Sequence, residues 1–546
     1  MKSRIRIGTS TCGLAAGADA VVTAAHNYVD RHLLPVDIQR TGCLGACHRE
    51  PLVEITEPGG SYLYGPVTPE RLAPILGFHF TARTTEIPEG WRVGQQPGWR
   101  DYPFLGRQIR ITTQLCGVID PFSLEDYLEH GGYQALREVL RMEPEKVIEI
   151  VKSARLRGRG GAGFPTGRKW EVARRQPGDT KFVICNADEG DPGAFMNRSV
   201  IEGDPHRVLE GMLIAAWAIG AQRGYLYVRA EYPLAVRALR LAIRQAEEYG
   251  ACGKNIFGSG MDFKFIIKEG AGAFVCGEET ALMHSIEGQR GMPRMRPPYP
   301  AEHGLWGYPT NINNVETYAS LPSIILSGPN WYAGLGTPQS GGTKAFSMTG
   351  AIRRAGLVEV PIGLSLHELL TVIGGGTHEG HSLKAVQLGG PSGGCIPASM
   401  LDTCIDYEEM KRTGAIMGSG GMVVVDETTC MVKLAEYFLS FTQDESCGKC
   451  IPCRVGTRQI LHLLRRITAG QATPATLEQL RTLCDTVRTT SLCGLGQTAP
   501  NPVLTTMRYF EEEYRAHVED RACPAGSCTF GEPPPPPAAE AEERPA

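Results

Sequence analysis

Apolar and polar positions change their spacing several times along this chain, and each change marks an element. Ile5-Arg6-Ile7 alternates as a strand does. Gly17 to Leu33 repeats apolar residues at helical spacing, and Val36-Asp37-Ile38 and Leu52-Val53-Glu54-Ile55 return to alternation. Residues 1–80 therefore read as a small α/β domain. The pattern lapses over 81–115, where Pro88 to Trp99 is rich in Gly, Pro and Gln, so this stretch reads as a connector. Ser123 with acidic Asp126 three residues on predicts an N-cap, and Ser123 to Leu140 and Pro144 to Ser153 read as helices. Lys181 to Cys185, Tyr225 to Val228 and Phe263 to Ile267 are strand patterns, with helices from Leu209 to Gly220 and Leu234 to Tyr249 on either side of the second. A further small α/β unit follows. Its strands are Ala345 to Gly350, Val358 to Pro361, Lys384 to Gly390 and Gly421 to Val425, with a helix from Leu366 to Ile373. Helices from Thr457 to Ala469, Ala475 to Thr489 and Tyr509 to Val518 close the chain.

At 546 residues the chain is too long for one core and requires several domains. A net charge of −4 gives no basic footprint for nucleic acid or an anionic membrane. No apolar run is long enough to span a bilayer, and Met1 to Arg6 has no secretory character, so the expectation is a cytoplasmic protein without direct membrane insertion. There the 17 cysteines stay reduced, and clustered ones point to metal.

The densest chemistry lies at Gly158-Arg159-Gly160-Gly161-Ala162-Gly163-Phe164-Pro165-Thr166-Gly167-Arg168-Lys169-Trp170. Glycines this close let the backbone lie flat against a ligand with its N–H groups turned to anionic oxygens, and Lys169 adds a point charge. The loop is neither G-x-x-x-x-G-K-[ST], since Trp170 follows Lys169, nor a dinucleotide fingerprint, since a helix end precedes it. The strand at 181–185 runs into Asn186-Ala187-Asp188-Glu189-Gly190-Asp191, polar groups at a strand's C-terminal end where α/β folds bind ligands. A second glycine-rich turn, Gly270 to Leu282, opens another helix, and Cys276 within it reads as a packing residue.

Cys447-x2-Cys450-x2-Cys453 with a distant Cys493 is a [4Fe-4S] arrangement; zinc more often takes two C-x2-C pairs. Near the end, His517, Cys523 and Cys528, with Cys484, make a one-His, three-Cys set for structural zinc. Cys395, Cys404 and Cys430 lack ligand spacing and read as packing residues. The tail from Pro533 is expected to be disordered.

Taken together, the motifs from Gly158 to Pro502 resemble the NADH-binding flavoprotein subunit of the respiratory complex I family, shared with soluble NAD-linked hydrogenases and formate dehydrogenases. The resemblance implies a multidomain α/β protein. Its parts are a thioredoxin-like domain at 1–80, the connector at 81–115, a Rossmann-like FMN/NADH domain at 116–340, a ubiquitin-like β-grasp (SLBB-like) domain at 341–427, a helical bundle carrying the [4Fe-4S] cluster at 428–518, and a Cys-containing end with a Pro-rich tail at 519–546. It implies that Gly158, Gly160, Gly161, Ala162, Gly163 and Lys169 hold FMN, with Asn186, Asp188, Glu189, Gly277, Glu278, Asn313, Asn314 and Thr317. Phe164 and Tyr299 would clamp the adenine of NAD(H), with Asp191, Glu279 and Arg296 alongside. Two positions depart from complex I members: Asp191 where Glu is common, and Arg296 where some have Lys. The acids Asp191 and Glu279 disfavour an added 2′-phosphate, hence NADH over NADPH, while Arg296 works the other way. Cys12, Cys43 and Cys47 resemble the family's thioredoxin-like [2Fe-2S] ligand set with its first member missing, Ile7 standing near that place. The implied activity is hydride transfer from NADH to FMN and single electrons on to the cluster, with no side chain required as acid or base. The implied partners are a thioredoxin-like [2Fe-2S] subunit and a catalytic subunit such as a formate dehydrogenase, hydrogenase or related reductase. A complex I-type subunit, an electron-bifurcating flavoprotein and a cofactor-less scaffold are the alternatives.

Overall fold

Strand β1 (Arg4–Gly8) lies parallel to β2 (Asp37–Thr41) and antiparallel to β3 (Val53–Glu57), which pairs with β4 (Gly60–Tyr64). In this computed structural model residues 3–81, 86–94, 98–99 and 101–530 are described. The tail from Pro533 and parts of the Pro88–Trp99 stretch lie outside them. Ile5 and Ile7 of β1 and Val53 and Ile55 of β3 point to one face, where helices Ala18–His32 and Pro69–Leu76 cover them. Strand alternation and helical spacing thus bury the same core.

The second sheet is fully parallel, in the order β7 (Lys264–Gly270), β6 (Arg223–Arg229), β5 (Phe182–Ala187), β8 (Thr310–Asn314). Helices Pro205–Ile219 and Val315–Ser327 pack on it. They meet at Gly211, where any Cβ would collide with the Tyr318 carbonyl, so only glycine allows this approach. The third sheet is mixed, in the order β10 (Gly356–Pro361), β9 (Thr343–Gly350), β13 (Gly421–Asp426), β11 (Leu383–Leu388), β12 (Gly394–Pro397), with β9 and β13 parallel. Helices Met431–Asp444, Thr457–Thr468, Pro474–Thr490 and Asn501–Tyr509 follow and share an apolar core. Among the described residues no helix is long and apolar enough to cross a membrane.

The expected helix from Ser123 to Leu140 is two helices, Leu124–Glu129 and Gln134–Val139, because Gly131 takes positive φ and Gly132 leaves no room for a side chain against Tyr127. The stretch expected to connect does more than span. Phe104 and Leu105 enter the core of the third sheet and Ile111 and Leu115 that of the second. The Thr112 and Thr113 backbone N–H groups donate to the buried Glu359 carboxylate, both at 2.9 Å.

Candidate functional site

The glycine loop is a tight excursion between two paired points. Arg157 bridges Pro165, and the Gly158 N–H donates to the Phe164 carbonyl at 2.9 Å. Gly161 (φ +119°) and Gly163 (φ +63°) need the left-handed region, and a side chain at Gly163 would strike the Tyr407 ring. Arg159 anchors the loop from below. Fully buried, it donates to the carbonyls of Thr343 and Gly341 and to the Tyr332 hydroxyl, while its own N–H donates to Thr317 Oγ1 at 2.9 Å. The Tyr407 hydroxyl donates to the Gly158 carbonyl at 2.8 Å. The loop is therefore fixed to the second and third sheets before any ligand arrives.

Facing it, the end of β5 delivers the acidic turn. Asn186 donates to the Gly277 carbonyl at 2.8 Å and accepts from the Asp188 N–H at 3.0 Å, locking turn 186–188 to loop 274–278. Asp188 Oδ2 is buried with no hydrogen-bond partner, and burial pushes this carboxyl up to about 7, against the pull of Arg229. An unpartnered buried carboxylate oxygen between glycine-rich backbones suits a ligand that brings hydroxyl groups. FMN, with its ribityl hydroxyls and its phosphate, fits this set.

Several residues expected at the cofactor also tie the walls of the site together. Both Glu189 oxygens accept backbone N–H groups, from Asn197 at 2.9 Å and Arg198 at 3.1 Å. Glu278 caps helix Glu279–Ile286 through the Thr280 and Ala281 N–H groups. Asn313 accepts from Trp170 Nε1 at 3.0 Å and from Asn311, Asn314 caps helix Val315–Ser327, and Thr317 is occupied by Arg159. Lys169 donates to Glu279 and to the Ile312 carbonyl, each at 2.9 Å. Arg296 reaches the other Glu279 oxygen at 2.7 Å. Burial opposes the Glu279 charge, but the two cations outweigh it and hold the carboxyl below its usual range. Asp191 accepts from Ser419 Oγ at 2.5 Å, and burial raises it to about 6. Phe164 and Tyr299 stand half exposed at the rim, 52% and 53%, as free aromatic faces do.

The cysteine loop lies against this site. Cys453 and Cys493 are buried, and Cys447 and Cys450 are near enough to raise Cys453 by charge, behind burial as the main cause. A Cβ on Gly496 would sit 3.0 Å from Cys453 Cβ, so the two cysteine segments touch. Glu445 accepts the Phe274 N–H at 3.0 Å, Lys449 donates to the Pro293 carbonyl at 2.6 Å, and Cys447 packs on the core containing Val275 and Cys276. Loop 274–278 thus has the acidic turn on one side and the cysteines on the other. Among the described residues these four thiols do not converge within 4.8 Å as single-ion ligands do. Four cysteine thiolates, three on one turn and one distant, are the ligand set of a [4Fe-4S] cluster.

Single-ion spacing occurs at Cys430, His517, Cys523 and Cys528. His517 Nε2 is 3.5 Å from Cys430 Sγ and 3.4 Å from Cys528 Sγ, and the Glu513 carbonyl orients the ring at Nδ1. This corrects two expectations. Cys430, expected to be packing, joins the set, and Cys484 does not. The apolar stripe Leu480, Cys484, Val487 of its helix faces the bundle core, and burial raises the Cys484 thiol far above the usual range. Cys430 precedes its helix by one residue and carries no spacing signal, so only the fold could find it. Cys12, Cys43 and Cys47 also meet, with Cys47 in hydrogen-bonding reach of both others.

Comparison with known proteins agrees with this geometry. Residues 151–323 match the family described as the Nuo51 FMN-binding domain, and residues 433–517 the NADH-ubiquinone oxidoreductase-F iron-sulfur binding region. The chain is 55% identical over 423 residues to the NADP-reducing hydrogenase subunit HndC of Solidesulfovibrio fructosivorans, covering 78% of this chain and 86% of that one. It is 45% identical over 408 residues to the F 2 subunit of the NADH-quinone oxidoreductase of Rhizobium meliloti (strain 1021), covering 74% and 97%. A crystal structure of NAD+-reducing [NiFe]-hydrogenase in the H2-reduced state superposes with TM-score 0.68 at 31% identity, over 95% of this chain and 84% of that chain.

Proposed function

Because the chain belongs to the family of NADH-oxidising FMN and [4Fe-4S] flavoprotein subunits, we propose that it moves electrons between NAD(H) and a partner of a multisubunit oxidoreductase. The observation that carries this is loop 274–278, hydrogen-bonded to the acidic turn through Asn186 and to the cysteine segment through Glu445. The FMN these residues would hold would supply hydride acceptance from NADH and one-electron delivery to the iron-sulfur cluster.

The chain's own residues bind and orient. The backbone of Gly158, Gly160, Gly161, Ala162 and Gly163 is the floor, fixed by Arg159 and Tyr407. Asp188 accepts ribityl hydroxyls, and Lys169 presents its charge to the phosphate end from its seat between Glu279 and the Ile312 carbonyl. Phe164 and Tyr299 receive the adenine. Glu279 accepts from nucleotide hydroxyls. Cys447, Cys450, Cys453 and Cys493 hold the [4Fe-4S] cluster, and Cys430, His517, Cys523 and Cys528 hold structural zinc. The first sheet with its helices is read as thioredoxin-like, the parallel sheet as Rossmann-like, the mixed sheet as β-grasp, and the helices after β13 as the cluster-bearing bundle. The catalytic partner is read as a hydrogenase, a formate dehydrogenase or a related reductase, in the cytoplasm.

One relative's name carries NADP, so nucleotide choice is the sharpest test. Adding NADH anaerobically to the FMN-loaded protein is expected to bleach the flavin band, with little response to NADPH. An equal response to both would overturn the preference for NADH, and no response to either would overturn the reading itself.

A further inference from the structure

The first domain holds a second donor set, next to the flavin domain but outside its site. Cys12 lies in the short helix Thr11–Ala15, and Cys43 and Cys47 flank the Leu44-Gly45-Ala46 turn. Beside them the structure places a fourth group that spacing alone does not reveal. The Cys43 thiol donates to Glu50 Oε1 at 3.6 Å, while Glu50 Oε2 accepts the Leu52 N–H at 2.9 Å. Glu50 is only 8% exposed, and no lysine or arginine pairs with it among the described ion pairs. Two glycines make room for it. A Cβ on Gly8 would lie 3.4 Å from the carboxylate, and one on Gly13 3.3 Å. The Ser10 hydroxyl, 3% exposed and two residues before Cys12, has no hydrogen-bond partner. A buried carboxylate beside a thiol is costly in its charged form unless a cation shares it.

The geometry points to Glu50 as the fourth ligand, with Cys12, Cys43 and Cys47, of a [2Fe-2S] cluster in the first domain. A set of three thiolates and one carboxylate supplies the four donors a two-iron cluster takes. The surroundings match an anionic cluster. The Gly45 N–H donates to Cys43 Sγ at 3.2 Å, and Arg198 of the flavin domain donates to Cys12 Sγ at 3.5 Å. Arg198 also supplies its N–H to Glu189 in the acidic turn, so the two sites share one residue.

Iron and acid-labile sulfide are counted on the full chain, reconstituted anaerobically with ferrous iron and sulfide. The wild type should hold about six of each per chain, four in the [4Fe-4S] cluster and two here. Glu50→Gln keeps an acceptor for the Leu52 N–H but removes the anion, and should fall to about four with FMN content and the [4Fe-4S] signal unchanged. Glu50→Cys should return the count to about six. Its EPR and visible circular dichroism should be shifted, because thiolate is a softer donor than carboxylate. A wild-type count of about four overturns the proposal. So does a Glu50→Gln or Glu50→Cys protein with six irons and an unchanged EPR signal. FMN and the [4Fe-4S] signal are read on the same samples, so failure here is distinguishable from failure of the nucleotide reading.

Discussion

Asp188 shows what single residues contribute. Burial raises its carboxyl to about 7, so in the free protein it holds a proton more readily than an ordinary aspartate. A ligand that donates hydroxyls to it favours the charged form, so FMN binding should release a proton and strengthen as pH rises toward 7. Calorimetric titration of the FMN-free protein in buffers of different ionisation enthalpy measures that proton. Asp188→Asn should abolish the release and weaken FMN binding roughly ten-fold or more, the scale of one hydrogen bond to a charged group. Glu279 has the opposite sign. Its carboxyl is depressed, since the Lys169 and Arg296 charges outweigh burial, so its contribution to stability is present above the ordinary glutamate range and is lost as pH falls through its folded value. Glu279→Gln should raise the KM for NADH roughly ten-fold, as steady-state kinetics will show.

At the scale of elements, one buried ion pair joins β9 to the helix after β8. Lys344 Nζ lies 2.8 Å from Glu316, both at most 1% exposed, and the Ala345 N–H donates to the other Glu316 oxygen at 3.0 Å. Lys344 also donates to the Ser419 carbonyl at 2.6 Å, beside the loop that packs on Gly161. Lys344→Met leaves an uncompensated carboxylate and should cost about 3–5 kcal/mol, read as an earlier denaturation midpoint with loss of FMN. Adding Glu316→Gln should recover much of it. Helix spacing and strand alternation are local properties, which is why helices Pro205–Ile219 and Pro233–Tyr249 fall close to their expected bounds. Strands β4 and β12 are short, and their apolar residues alone distinguish neither from a loop; their pairing with β3 and β11 makes them strands.

Over the whole molecule, cofactors on separate segments are joined by a few bonds. Cys493→Ser should remove the [4Fe-4S] signal yet keep bleaching of FMN by NADH, while reduction of an added one-electron acceptor falls by at least about ten-fold. A fall in both would show that the cysteine segment also holds the flavin site together through Glu445 and Lys449. Zinc content gives a second test. Cys430→Ser should lose zinc and Cys484→Ser should keep it, as metal analysis of the two proteins will show. The fold decides between these cysteines because the stripe of the Pro474–Thr490 helix sends Cys484 inward.

The residue types in the glycine loop, the acidic turn and the C-x2-C-x2-C segment were legible in the chain alone, because each is a local run whose chemistry needs neighbours in sequence. So were the long helices, whose period is written in consecutive residues. Which partners the polar side chains of these segments take within the chain was decided by tertiary structure. Glu189 and Glu278 accept backbone N–H groups, Asn313 accepts from Trp170, and Thr317 accepts from the Arg159 N–H. Buried polar groups must find partners, and those partners are distant in sequence. The same holds for Cys430 beside His517 and for Glu50 beside Cys43: a ligand set is a coincidence of side-chain positions, which spacing describes only where all its members lie on one turn.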